Sequence, residues 1–264
     1  MKRASSRAAN DVYDSGDVEE FSFHPGLTLA AGTQSSKAYA LIRRRIVKLE
    51  LAPGAPLSER ELIEETGLGR TPVREALLRL AVERLIVSNP GKGLQVAPIG
   101  LEEVRDIYEV RLQEDRLAGR LFLQNADAAQ LDAVVTCFDA ADALVAAGDF
   151  QSVFNLDFRF HALFYAGAGN SVLSSNHHLL VGHYYRIAQI SAGRRREAKT
   201  VAGLRALVDS HEAMVEAVRH RDAGALDKAI VEHTTGSLAG VIEVLTGLRM
   251  AAISDLNVNL IGES

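Results

Sequence analysis

The sequence predicts a mainly α protein in two parts: three helices and a β-hairpin over residues 34–100, then an all-α antiparallel bundle of six to seven helices over residues 101–248. Three observations carry that expectation. Residues 34–100 show three helical stripes punctuated by Gly and Pro, followed by two short β-rich runs around Asn89-Pro90-Gly91-Lys92-Gly93. From residue 101 onward every segment repeats apolar residues at helical spacing, with no credible strand. Charge divides the same way. Residues 34–100 hold eleven Lys/Arg and seven Asp/Glu, a net of +4; with −2 over residues 1–33 and −5 in total, residues 101–264 carry −7. A basic segment joined to an acidic one points to a polyanion that meets only the first.

Residues 1–33 are rich in Ser, Ala, Gly and Asp without periodicity and read as a mobile extension. In "SSKAYALIRRRIVKLEL", Tyr39, Ile42, Ile46 and Leu49 form one stripe with Arg43, Arg44 and Lys48 outside it, and "APGAPL" ends the helix. "SERELIEETG" opens on a capping box, Ser58 with Glu61, in which each side chain satisfies a backbone donor, and it stops at Gly67. Thr71 as N-cap with Pro72 at the first helical position begins the third helix. A hairpin with a basic tip follows. Together these elements make a winged helix-turn-helix. In that arrangement the motif's second helix enters the major groove of double-stranded DNA, which would place Arg70, Thr71, Val73 and Arg74 at the base edges. Arginine matches guanine O6 and N7 with a bidentate fork, and Arg60 and the wing-tip Lys92 suit phosphate or minor-groove contacts.

The bundle begins with "LEEVRDIYEVRLQEDRLAGRLFLQ" and continues through "ADAAQLDAVVTCFDAADALVAAG", a single helix ending at Gly148. Next comes "DFQSVFNLDFRFHALFYAGAG", and three more helices run through residues 171–191, 196–220 and 222–248, leaving 249–264 as a tail. Asp157 and His161 are four residues apart and share a helix face among Phe residues. Such a pair is a satisfied polar pair in a core, a catalytic pair, or half of a metal site. His211 and His233 each lie 11 residues from Asp222, which caps the turn of a helical hairpin in "HRDAG". In antiparallel helices equal offsets put both at one height, on the order of 16 Å from the turn. Asp157, His161, His211 and His233 thereby become candidate ligands of one divalent transition metal. A carboxylate with three imidazoles suits zinc first, and also nickel, manganese or iron(II). His177, His178 and His183 are assigned to surface or core, and Tyr184, Tyr185 and Arg186 to the walls of a pocket.

The single cysteine, Cys137, excludes an intramolecular disulfide and fits a reducing cytoplasm. No run of about eighteen apolar residues exists to span a membrane, and the basic N-terminus lacks the apolar stretch of a secretory signal. Two rival readings keep the metal but change its purpose. A metal-dependent hydrolase would need a general base beside the ion, yet no HExxH-like motif occurs and Asp157 is itself a ligand candidate. A purely structural metal would couple binding to folding alone.

"ELAPGAPLSERELIEETGLGRTPVREALLRL" resembles the DNA-binding domain of GntR-family bacterial transcription regulators, whose pattern runs L-x-P-G, L-x-E-R-x-L, a Gly and a turn, then R-T-P-V-R-E-A-L. The resemblance covers residues 35–98 and implies DNA contacts from Arg60, Arg70, Arg74 and the wing glycine Gly91. Two positions depart from it. Gly69 stands where Ser or Thr is usual, and Arg84 stands where the family has Gly, which asks a non-Gly residue to accept positive φ at a cost of about 1 kcal/mol. Residues 101–245 resemble the FadR-type C-terminal ligand-binding domain, through D-x-x-x-H followed by L-F-x-x-A-G-x-G-N and a later His pair. This implies Asp157, His161, His211 and His233 as metal ligands, and Arg111 in "YEVRLQED" as the anchor of a small carboxylate effector. Asp115 replaces the usual Glu four residues after that arginine; read from the residues alone, Arg111 is equally a helix salt bridge to Asp115 or Glu114. Helix-turn-helix proteins read paired half-sites, so a homodimer is expected. With the two resemblances the reading is a regulator, taken as a repressor although activation stays open, whose operator binding weakens when a small organic acid reaches the metal, rather than an enzyme.

Overall fold

The computed structural model describes residues 33–91, 93–194 and 200–247. The tail and, except for Thr33, the N-terminal extension lie outside the described residues, as does Lys92 at the wing tip. Helix α1 (Gln34–Val47) starts where the Thr33 hydroxyl accepts from Ser36 N, and it buries Ala38, Tyr39, Ile42 and Ile46. In α2 (Glu59–Thr66) the Ser58 side chain accepts from Glu61 N, and Gly67 ends the helix in the left-handed conformation at φ 65. Helix α3 runs Arg70–Val82.

Two sequence expectations about α3 are corrected. Its N-cap is Gly69, which makes Pro72 the third helical residue instead of the first. The first-turn N–H groups have no intrahelical partner there either, so proline still costs no hydrogen bond. Val73 is fully buried among Ile42, Ile46, Leu77 and Leu80, so it belongs to the core and not to the base edges.

A three-stranded antiparallel sheet completes the head, in the order β1 (Pro56–Leu57), β3 (Gly93–Val96), β2 (Ile86–Asn89), with Asn89 opposite Gly93 across the tip. β1 lies inside "APGAPL", read from sequence only as a helix break; two residues are too few to show alternation. Arg84 does adopt φ 56 at the turn into β2. Arg84→Gly is therefore expected to stabilise the protein by about 0.5–1 kcal/mol, the left-handed penalty less the extra entropy of glycine in the unfolded chain. Chemical denaturation reads this, and an unchanged or lower midpoint would refute it.

The second part comprises α4 (Leu101–Asn125), α5 (Ala128–Asp139), α6 (Ala141–Ala147), α7 (Phe150–Gly167), α8 (Ser171–Arg194), α9 (Val201–Asp209), α10 (Glu212–His220) and α11 (Ala223–Thr246). Among the described residues these eight exceed the six to seven expected because two predicted helices are broken. The break at Ala140 keeps helical angles (φ −65, ψ −20) but lets α5 pack on α7 and α10 while α6 packs on α7 and α9. The break at Ser210 has a local cause. Ser210 Oγ and His211 Nδ1 both donate to Leu207 O, at 2.7 and 3.1 Å, while His211 N turns to Val208 O. Side chains thus take the carbonyl that the helical ladder would use.

The bundle core gathers Phe122, Phe160, Phe164, Met214, Leu226 and Ile230. Gly167 is required there, since a Cβ would stand 2.5 Å from the Phe122 ring. Helix α8 ties the bundle to the head through side-chain donors on backbone carbonyls. His183 Nε2 reaches Glu83 O at 2.8 Å, Arg186 Nη2 reaches Ala97 O at 2.5 Å, and Gln189 Nε2 reaches Val47 O at 2.8 Å. Arg186 is fully buried in this seam, where desolvation pulls its pKa down to about 10. Among the described residues no helix is long and apolar enough to cross a membrane.

Candidate functional site

On the head, Arg70, Thr71 and Arg74 are exposed at the start of α3, and Arg60 is exposed on α2, paired with Glu64 at 3.3 Å. Arg70 and Arg74 are held together by a residue that sequence reasoning missed. Each donates its Nε to one oxygen of Glu59 at 2.9 Å, and these two bonds lower the Glu59 carboxyl pKa. With Nε occupied, the Nη ends of both forks remain for a base edge or phosphate. Gly91 sits exposed at the wing tip with φ 78. The charge pattern around Arg70 gave no hint of Glu59, because the contact crosses from α2 to α3.

In the bundle, three elements converge. α7 supplies Asp157 and His161, the α9–α10 junction supplies His211, and α11 supplies His233. His161 Nε2 lies 3.2 Å from the Nε2 of both His211 and His233, and His211 Nε2 lies 3.1 Å from Asp157 Oδ1. Donors bound at about 2.0–2.1 Å around one tetrahedral ion stand about 3.3 Å apart, so the three imidazoles, whose ligand atoms all lie within 4.8 Å of one another, fit a single cation, with Asp157 beside them against His211. Asp157 Oδ1 is buried without a hydrogen-bond partner, which is costly unless a cation fills that role.

The surroundings fix the ring orientations. His211 Nδ1 donates to Leu207 O, which turns its Nε2 into the cluster. His233 Nδ1 lies 3.3 Å from Ser210 Oγ. Burial, with Arg111 and His211 nearby, holds the His161 pKa well below its ordinary value. Burial does the same for His233, helped by His211 and His161. Both rings are therefore neutral, the form in which imidazole ligates metals. For Asp157, burial favours the neutral acid, but the adjacent His211, with His233 and Arg111, outweighs it and lowers the pKa.

Arg111 is buried and donates Nε to Asp115 Oδ2 at 3.2 Å, so the predicted helix salt bridge exists. The same residue lines a cavity of about 800 Å³ that also includes Asp157 and His233. Tyr165 donates to Asp115 Oδ1 at 2.6 Å, completing a buried support for the guanidinium. Burial opposes the Arg111 cation, yet Asp115, Tyr108, Tyr184 and Asp157 together raise its pKa. Tyr184, Tyr185 and Arg186 are not cavity walls, contrary to expectation. Tyr184 and Tyr185 pack against Phe158, and Arg186 faces the head. His177 is core, stacked on Tyr165 with centroids 3.7 Å apart.

Residues 34–96 match the bacterial regulatory proteins of the gntR family, and residues 106–236 match the FCD domain family. The chain is 32% identical over 140 residues to an HTH-type transcriptional regulator in the TAR-I ttuE-ttuC' intergenic region of Agrobacterium vitis, covering 52% of this chain and 81% of that one. It is 26% identical over 199 residues to the HTH-type transcriptional repressor RspR of Escherichia coli K12, covering 75% and 85% respectively. Among solved structures, E. coli McbR/YncC matches with TM-score 0.68 at 20% identity, over 80% of this chain and 98% of that one, a likeness of fold. The matched families and relatives are transcription regulators and not enzymes. With a gntR-type helix-turn-helix head followed by an FCD domain, the chain belongs to the GntR family of bacterial DNA-binding transcription regulators.

Proposed function

We propose that this regulator holds a divalent transition metal, zinc first, at Asp157, His161, His211 and His233, and binds a small organic acid beside it that changes operator affinity. The observation that carries the reading is the convergence of three imidazole Nε2 atoms next to the unpartnered Asp157 Oδ1, at the wall of a cavity that Arg111 also lines. A bound cation supplies positive charge for a carboxylate. Arg111, fixed by Asp115, supplies a second positive group with donors of suitable geometry.

Arg60, Arg70, Thr71, Arg74, Gly91 and Lys92 would make the DNA contacts, and a homodimer would read paired half-sites. Helix α8 is the physical route between the two parts. Ala188, Ser191 and Ala192 line the cavity, whereas His183, Arg186 and Gln189 hold the head. An effector that prefers one placement of α8 thereby shifts the population of DNA-competent heads. The repressor name of the E. coli relative favours repression as the output.

The test is operator binding by zinc-loaded protein, followed by fluorescence anisotropy across a panel of carboxylates. An acid that binds at the metal is expected to weaken operator binding roughly tenfold or more, about 1.4 kcal/mol of coupling. An acid that binds tightly and leaves operator affinity unchanged would reduce the metal to a structural role.

A further inference from the structure

Asp157, His233 and Arg111 are only part of the boundary of the 800 Å³ cavity. An acetate-sized acid would leave most of that space empty, whereas cavities of about 300–1,000 Å³ suit drug-sized ligands. The remaining walls are mostly apolar and unlike one another. α7 presents Phe150, Phe154 and Phe158 at four-residue intervals beside Asp157, with successive ring centroids 5.7 and 5.2 Å apart. At 1.5 Å per residue this aromatic strip extends on the order of 10 Å from Asp157 to Phe150.

α9 and α11 contribute small residues instead, among them Gly203, Ala206, Gly236 and Gly240. Gly236 lies inside α11, where alanine would be more stable by about 1 kcal/mol. Its φ is not left-handed, and a Cβ there would meet nothing within 4 Å. Neither backbone conformation nor close packing requires glycine at this position; what it provides is space in the cavity.

The lining also carries Ser191, Thr200, Ser210, Ser237 and Glu232; Ser210 lies beside His233 Nδ1, and Ser237 Oγ lies 3.1 Å from the Tyr108 hydroxyl. Apart from Asp157, however, α7 lines the cavity with phenylalanine rings alone, so a hydroxylated body laid along that strip would leave hydroxyls unpaired, at a cost for each. Arg111, more than nine-tenths buried, spends only Nε on a described residue, so its other N–H groups are available to a head group.

We infer that the effector is a carboxylic acid with a flat, bulky apolar body, an aryl-bearing acid. Its carboxylate lies at the Asp157, His233 and Arg111 end, and its ring packs along Phe154 and Phe158. The inference rests on the carboxylate reading proposed above and adds the chemistry of the rest of the molecule.

Isothermal titration calorimetry of the zinc-loaded full chain with 3-phenylpropionate, gluconate and acetate tests it. 3-Phenylpropionate is expected to bind roughly tenfold or more tighter than either other acid, from burial of its ring. Gly236→Leu, which fills the cavity, is expected to weaken 3-phenylpropionate roughly tenfold and to leave acetate within about twofold. If that variant fails to fold, Gly236→Ala adds one methyl and is expected to weaken 3-phenylpropionate by a few-fold while raising the melting temperature of the unliganded protein. Acetate or gluconate binding as tightly as 3-phenylpropionate would overturn the inference and leave the carboxylate reading standing. Equal loss of acetate and 3-phenylpropionate in a folded Gly236 variant would likewise overturn the placement of the ring. Binding of none of the three acids to zinc-loaded protein would defeat the carboxylate reading itself, and the inference with it.

Discussion

Zinc at a hundredfold excess over its dissociation constant is expected to raise the melting temperature of metal-free protein by about 5–11 °C, and His211→Ala is expected to abolish that rise. The size follows from linkage: about 2.7 kcal/mol at that saturation, with about 2–4 °C per kcal/mol for a folded unit of 150–250 residues. His211 Nδ1 donates to Leu207 O, which directs its Nε2 to 3.1 Å from Asp157 Oδ1, and His161 Nε2 lies 3.2 Å from the Nε2 of both His211 and His233. A cation bound there would replace these close polar contacts with coordination bonds. His211→Ala removes the one ring that touches both the carboxylate and His161, and it leaves Phe160 without its edge-on neighbour at 4.8 Å. The variant is expected to remain folded by circular dichroism and to bind operator DNA, while elemental analysis finds it without zinc. Stoichiometric zinc retained after dialysis would refute the ligand set.

Arg74→Ala is expected to lower affinity for the operator by about 1–3 kcal/mol and to relax specificity at one base pair, with nonspecific DNA much less affected. Arg60→Ala is expected to act differently, weakening all sequences alike and reducing the salt slope by about one. The structural reason is the environment of each fork. Arg74 emerges from the first turns of α3 and is braced by Glu59, which also braces Arg70. Ordering of the two guanidinium groups before DNA arrives reduces the entropy they lose on docking. Arg60 has only an exposed pair with Glu64 on its own helix, an interaction of small energy. Binding isotherms on a symmetric operator and on scrambled DNA, each across a salt series, distinguish the two. Equal losses on both DNAs for Arg74→Ala would remove it from base readout.

Much of the fold was legible because its signals are local. Ser58 caps α2 through a bond to a residue three places on, and Gly67 ends that helix by its own φ. The tip around Gly91 sets the register of the β2–β3 hairpin, and Arg84 takes the positive φ that its position demands. The metal-site candidates were also legible, since the i, i+4 spacing of Asp157 and His161 and the equal offsets of His211 and His233 from Asp222 translate into height along helices. That estimate survives the break at Ser210 because His211 stands one residue before α10 and keeps near-helical angles (φ −100, ψ −10).

The sequence by itself determined the helix ends set by local caps such as Ser58 and Gly67, where the chain turns, and which side chains have the chemistry to hold an ion or a phosphate. Tertiary structure alone decided the rest. Which way α3 rotates on α1 put Val73 in the core and Arg74 outside. The seam between head and bundle claimed Arg186 in place of the pocket. Glu59 became the brace of two arginines only once α2 and α3 were packed. Each of these depends on distances between residues far apart in the chain, and no spacing along one helix encodes them.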